Sequence, residues 1–276
     1  MKNDKFFKIF QEFPVIKFPH TGFQRIVKID INLRFFSEKI DKRTVSRLIG
    51  EKSRFESGFF KGLFKRPESD VEVLNDLNRD VVTLYRVVQH HIEEFVRYFK
   101  WMLVSRDEFD RMRRVDPETL TDVQRAARFF YLQKCCFGGR IVRPIFGTAT
   151  TRPPKLNLLR IEEDLSAAHL RLARTYVECL PYERVISKYD SPDTFFFVDP
   201  PYWGCEDYYG KEMFSREDFV RLRDILAGIK GRFLLTLNDL PEVREVFGGF
   251  NIEGQQLTYT VGKGATSTKE IFITNY

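Results

Sequence analysis

The chain has 276 residues, 43% of them hydrophobic and 30% charged, a balance that excludes an unstructured chain and allows one large core with room for an insert. The net charge of +6 favours a polyanionic partner, because Lys and Arg gain affinity by releasing phosphate counterions. No apolar run approaches the ~18 residues of a membrane span, the opening stretch MKNDKFFKIFQEF lacks the apolar h-region and small-residue cleavage site of a secretory leader, and the four cysteines (Cys135, Cys136, Cys179, Cys205) lack a CxxC spacing, so reduced thiols in a cytoplasmic protein without metal are expected.

In chain order, KIDINLRFF (28–36) fits a strand or a helix, and EKIDKRTVSRLIGEK (38–52) fits a basic amphipathic helix. A strand is predicted at Val71 to Leu74, then a turn at Asn75 and Asp76. One long helix follows, with Val81, Leu84, Val88, Ile92 and Phe95 on its apolar stripe. From 97 to 175 the pattern is helical, broken at 117–119 and 137–139 and carrying a long Thr-, Pro- and Arg-rich loop at 143–159. Strands return at 176–180, 194–198 and 232–239, separated by helices at 182–189 and 214–231. A short helix (240–249) and a terminal hairpin (255–261 with 270–276) complete the pattern. The expected architecture is an open α/β sheet split into 1–96 and 176–276 by a helical insert at 97–175.

Ligands of such sheets sit beyond the carboxyl ends of the strands. Asp76 falls at one such end, where it fits either a ribose-binding acid or a helix N-cap. Asp199 falls at another, directly after the buried run TFFFV and before Pro200, Pro201, Tyr202 and Trp203. A carboxylate and a proline-flanked carbonyl can together accept both hydrogens of one NH2 group. Tyr202 and Trp203 offer flat faces for a planar base.

DPPYW after a buried strand, with NDLN far upstream, resembles the DNA adenine methylase family of S-adenosylmethionine-dependent enzymes. RFFYLQKCCFGG, GRFLLTLND and KEIFITNY resemble its phage and prophage members over residues 69 to 276. The resemblance implies a Rossmann-like methyltransferase sheet with a helical target-recognition insert. It implies methyl transfer to the N6 amine of adenine in double-stranded DNA, with the base flipped out of the duplex and no metal or obligate protein partner. Asp199, Pro200, Pro201 and Tyr202 match the catalytic tetrapeptide, and Asp76 matches the ribose-binding acid. Gly22, Phe55, Gly58 and Tyr182 match further cofactor positions. The glycine-rich cofactor motifs are reduced here: Phe23 stands where a lysine is expected, and Phe59 and Phe60 replace small residues. Two alternatives therefore stay open, a DNA-binding protein of methyltransferase fold with weak or lost cofactor binding, and methylation of cytosine N4. Arg140, Arg143, Arg152 and Lys155 are the expected DNA contacts, with Arg111, Arg113, Arg114 and Arg125 as further candidates in the insert.

Overall fold

The computed structural model describes residues 25–30, 69–137, 143–148, 153–154, 156–204, 214–261 and 264–276. Its strands are β1 (Arg25–Asp30), β2 (Val71–Asp76), β3 (Thr175–Glu178), β4 (Thr194–Asp199), β5 (Arg232–Asn238), β6 (Asn251–Val261) and β7 (Gly264–Thr274). They form one sheet in the order β3-β2-β1-β4-β5-β7-β6. The first five run parallel, and β7 lies antiparallel between β5 and β6. KIDINLRFF is thus a strand up to Asp30. The amphipathic helix expected at 38–52 lies outside the described residues.

Register explains the continuous apolar runs. Val73, Val27, Phe196 and Phe233 stand side by side on four adjacent strands, and none is more than 1% exposed. Burying each such side chain stabilises the fold by about 1.5–3 kcal/mol. This row faces α6 (Tyr182–Tyr189), α7 (Arg216–Ala227) and α8 (Pro241–Val246), which supply Val185, Ile186, Phe219, Leu222, Leu226 and Val243 to the same core.

A second core contains Leu74 of β2. It joins α1 (Arg79–His90), α2 (Ile92–Phe99), α3 (Arg106–Arg114), α4 (Asp122–Cys135) and α5 (Ile161–Leu172). The long helix expected after β2 is two helices, parted at His91 where φ is −136° and ψ is 37°. The apolar phase runs through this break, since Val88 and Phe95 are both fully buried. Phe130 of α4 meets Phe95 and Phe99 edge-on at 5.5 and 5.6 Å. The helical region is anchored to the sheet by a buried ion pair, Arg171 Nε donating to Glu72 Oε2 at 2.6 Å and Nη2 to Oε1. Gln89 of α1 adds a hydrogen bond to the Leu172 carbonyl at 2.6 Å. Among the described residues, no helix is long and apolar enough to cross a membrane.

Candidate active site

Strand order reverses at β1, which has β2 on one side and β4 on the other. The crevice beyond the carboxyl ends of β1 and β4 is therefore the topological switch point, where open α/β sheets bind ligands. Three acids end the strands there in one row: Asp76, Asp30 and Asp199 are register partners across β2, β1 and β4. At about 4.8 Å between neighbouring strands, the row spans roughly 10 Å. Asp30 was not among the expected site residues. Its signal is the acid closing the apolar alternation of RIVKID, legible only once 25–30 is known to be a central strand.

Asp199 ends β4, half-exposed, and Pro200 and Pro201 behind it are buried. Thr236 Oγ1 of β5 donates to Asp199 Oδ1 at 2.8 Å. Gly204 follows the turn, and its φ of +82° is the left-handed conformation that glycine adopts without a Cβ penalty. Trp203 departs from expectation. Its ring packs on Phe219 with centroids 4.8 Å apart, and the Arg216 guanidinium lies 4.7 Å from its centroid. Its faces serve this packing rather than a base, which leaves Tyr202, half-exposed, as the aromatic beside Asp199.

Asp76 also differs in detail from the sequence reading. Asn75 and Asp76 belong to β2 rather than to a turn. Asn75 carries the strand this far by a non-local bracket, donating from Nδ2 to the Leu180 carbonyl and accepting from the Leu180 N–H, both at 3.0 Å. The helix cap is Asn78, whose Oδ1 accepts from the Asp80 N–H at 2.7 Å. The N-cap explanation of Asp76 is therefore set aside. Asp76 is 4% exposed, and its Oδ1 accepts from the Asn78 N–H at 2.8 Å, which orients the carboxylate at the edge of the crevice. A buried, oriented carboxylate at a strand end fits an acceptor for the ribose hydroxyls of a nucleoside cofactor.

Tyr182 is placed in the core. It is 4% exposed, with its ring 6.1 Å from that of Phe214 and its hydroxyl donating to Asp218 Oδ1 at 3.5 Å. Burial pushes its hydroxyl pKa up. Pro181 ends the loop, so the first helical turn carries the Tyr182 ring inward. Gly22, Phe55, Gly58, Arg140, Arg152 and Lys155 lie outside the described residues.

Among the candidate DNA-contacting arginines, three pair with carboxylates, Arg113 with Asp110 at 3.2 Å and two more tightly. Arg125 is bound to Asp80 at 2.6 Å and to Glu118 at 2.8 Å, and Arg111 Nε donates to Glu108 at 2.9 Å. Arg143 is exposed and has a φ of 52°. With Arg113 and Arg128 it lines a concavity of about 470 Å³. Arg128 donates from Nε to the Met112 carbonyl at 2.8 Å, and burial pulls its guanidinium pKa down. That concavity was not foreseen, because Arg128 reads from the sequence as one more polar position of an amphipathic helix. Among the described residues, no group of three or more His, Cys, Asp or Glu is placed to hold a metal ion.

Comparison with known proteins agrees with this geometry. A sequence model of the D12 class N6 adenine-specific DNA methyltransferases matches residues 61–261. The chain is 24% identical to the type II methyltransferase M.CviBI of Paramecium bursaria Chlorella virus NC1A over 181 residues, 65% of this chain and 69% of that protein. It is 22% identical to the type II methyltransferase M.MjaIII of Methanocaldococcus jannaschii over 217 residues, 69% of this chain and 74% of that protein. Over 230 residues it is 24% identical to the DNA N-6-adenine-methyltransferase of Escherichia phage P1, matching 76% of this chain but only 30% of that longer protein. With an acid-proline-proline-tyrosine turn at the switch point of a mostly parallel sheet, and a family match over most of its length, the chain belongs to the D12 class N6 adenine-specific DNA methyltransferases, enzymes that use S-adenosylmethionine as methyl donor.

Proposed function

We propose that Asp199 and the Pro200 carbonyl hold the exocyclic N6 amine of an adenine flipped out of duplex DNA. The position of Asp199 carries this reading: it ends a central strand at the switch point, its carboxylate fixed by Thr236 at 2.8 Å. Two acceptors on one amine bind both of its hydrogens and draw the nitrogen lone pair out of conjugation with the ring. Tyr202 stacks on the base and replaces part of the stacking lost on flipping. S-adenosylmethionine would supply a sulfonium methyl group: the N–C bond forms as the S–C bond breaks, the sulfur leaves with that electron pair as S-adenosylhomocysteine, and the surplus N6 proton passes by way of Asp199 to solvent. Asp76 accepts hydrogen bonds from the cofactor's ribose and so sets the distance between donor and amine. The work of the chain is alignment and charge placement, effects able to lower a barrier by several kcal/mol.

The helical region at 97–175 is proposed as the target-recognition insert, between a cofactor part (1–96) and a catalytic part (176–276). The concavity lined by Arg113, Arg128 and Arg143 supports DNA contact there, because a half-buried guanidinium gains from an anion that shares its desolvated site. Arg140, Arg152 and Lys155 are carried in the same role from the sequence.

The test is methylation of random-sequence duplex DNA by the full chain, followed by sequencing that detects modified bases and by mass analysis of the nucleosides. N6-methyladenine in a defined sequence context is expected. N4-methylcytosine, or no methylation with cofactor binding absent at millimolar concentration, would overturn the reading.

A further inference from the structure

Two alternate residues of β5 hold the two ends of the Asp199–Trp203 turn. Thr236, 1% exposed, donates to Asp199 Oδ1 at the start of the turn, at 2.8 Å. Asn238 brackets the end of the turn, accepting from the Trp203 N–H at 3.0 Å and donating from Nδ2 to the Trp203 carbonyl at 3.0 Å. Residues two apart on a strand share a face, and Leu237 between them is fully buried in the core of the opposite face. The pairing of Val198 with Leu235 fixes this alignment. The turn is therefore clamped at its first and last residues to one central strand, with two prolines stiffening the span between.

We infer that Thr236 and Asn238 are positioning residues for methyl transfer. Thr236 sets the orientation of the Asp199 carboxylate, and Asn238 fixes the exit of the turn and, through it, Tyr202. The inference rests on the proposed role of Asp199. A hydroxyl inside the apolar run FLLTL is unfavourable unless bonded, and its bond here goes to the proposed amine acceptor. A carboxylate oxygen can accept more than one hydrogen bond, so the threonine orients Asp199 without using up its acceptor capacity.

The experiment measures methyl transfer by the full chain to duplex DNA, for the wild type, T236V, T236S, N238L and D199A, with DNA affinity and thermal melting recorded for each. T236V is expected to lower kcat by roughly 10- to 100-fold, the worth of one charge-assisted hydrogen bond, with KM for S-adenosylmethionine and DNA affinity unchanged. T236S, which keeps the hydroxyl, restores kcat. N238L also lowers kcat. A folded T236V with wild-type kcat, beside an inactive D199A, overturns the inference and leaves the reading of Asp199 standing. A fully active D199A overturns that reading and the inference with it.

Discussion

Residues 74–77 and 237–240 are the same tetrapeptide, LNDL, at the carboxyl ends of β2 and β5. In both, the asparagine brackets one residue of the loop after a neighbouring strand, with two hydrogen bonds of 3.0 Å: Asn75 holds Leu180 and Asn238 holds Trp203. The two copies are set in opposite phase. Leu74 packs into the core under α1, whereas Leu237 packs into the core under α6 to α8, and a one-residue change of phase exchanges the faces of a strand. The acids separate accordingly. Asp76 is inside β2, buried and aligned with Asp199 through Asp30, while Asp239 lies past the end of β5 and pairs with Arg244. An identical local word therefore gives a crevice acid in one place and a surface ion pair in the other, and strand phase decides which.

The sharpest way to break this comparison is to remove the asparagines. Asn75→Leu leaves the Leu180 N–H and carbonyl without these partners in a site where Asn75 is 3% exposed, and is expected to cost roughly 2–4 kcal/mol of stability. Urea unfolding reads this as a lower midpoint at unchanged slope. N238L, at the partly exposed turn, is expected to lose less stability and more activity. Equal losses of both kinds in the two variants would make the clamps equivalent and end the distinction.

Exchanging the acids is next in size. Asp76→Ala is expected to raise the KM for S-adenosylmethionine about 10-fold or more, as loss of a charged hydrogen bond does, with kcat less affected. Asp239→Ala should leave both constants unchanged. A normal KM in the Asp76 variant, from a titration over three decades of cofactor, would remove Asp76 from the cofactor site.

The smallest effect concerns Asp239 itself. The hydrogen bond from Arg244 holds its carboxyl below the usual carboxylate range. Its folded pKa is depressed, so the stabilisation is fully present above the unfolded value of about 3.9 and disappears as pH falls through the folded pKa. Both side chains are partly solvated, so the contribution is below about 1 kcal/mol. The difference in unfolding free energy between wild type and Asp239→Asn should persist at pH 6 and vanish in strong acid. A difference independent of pH would mean that the pair does not act through charge.

What the sequence made legible was whatever is encoded locally. The buried runs at 194–198 and 232–238, the amphipathic stripe of α7 and the turn after Asp199 all declare themselves within about ten residues. What stayed hidden depends on distant partners. Asn75 looked like a turn residue because Leu180, which holds it in the strand, is 105 positions away. Thr236 and Asn238 read as ordinary strand residues because the turn they clamp lies 37 and 35 positions upstream. The break at His91 was invisible because the apolar phase is continuous across it. Trp203 reads from the sequence as an available aromatic face, but composition cannot tell which side of a ring is covered, and Phe219 and Arg216 pack on this one.

The packing of Trp203 has an optical consequence. The chain carries two tryptophans; Trp101 is 85% exposed, and Trp203 sits against Phe219 with its backbone held by Asn238. One indole therefore emits from water and the other from the exit of the turn proposed to hold the amine. Changing Trp101 to phenylalanine leaves Trp203 as the single tryptophan, so ordering of that turn on base or cofactor binding becomes visible as a shift in indole emission, without any added label.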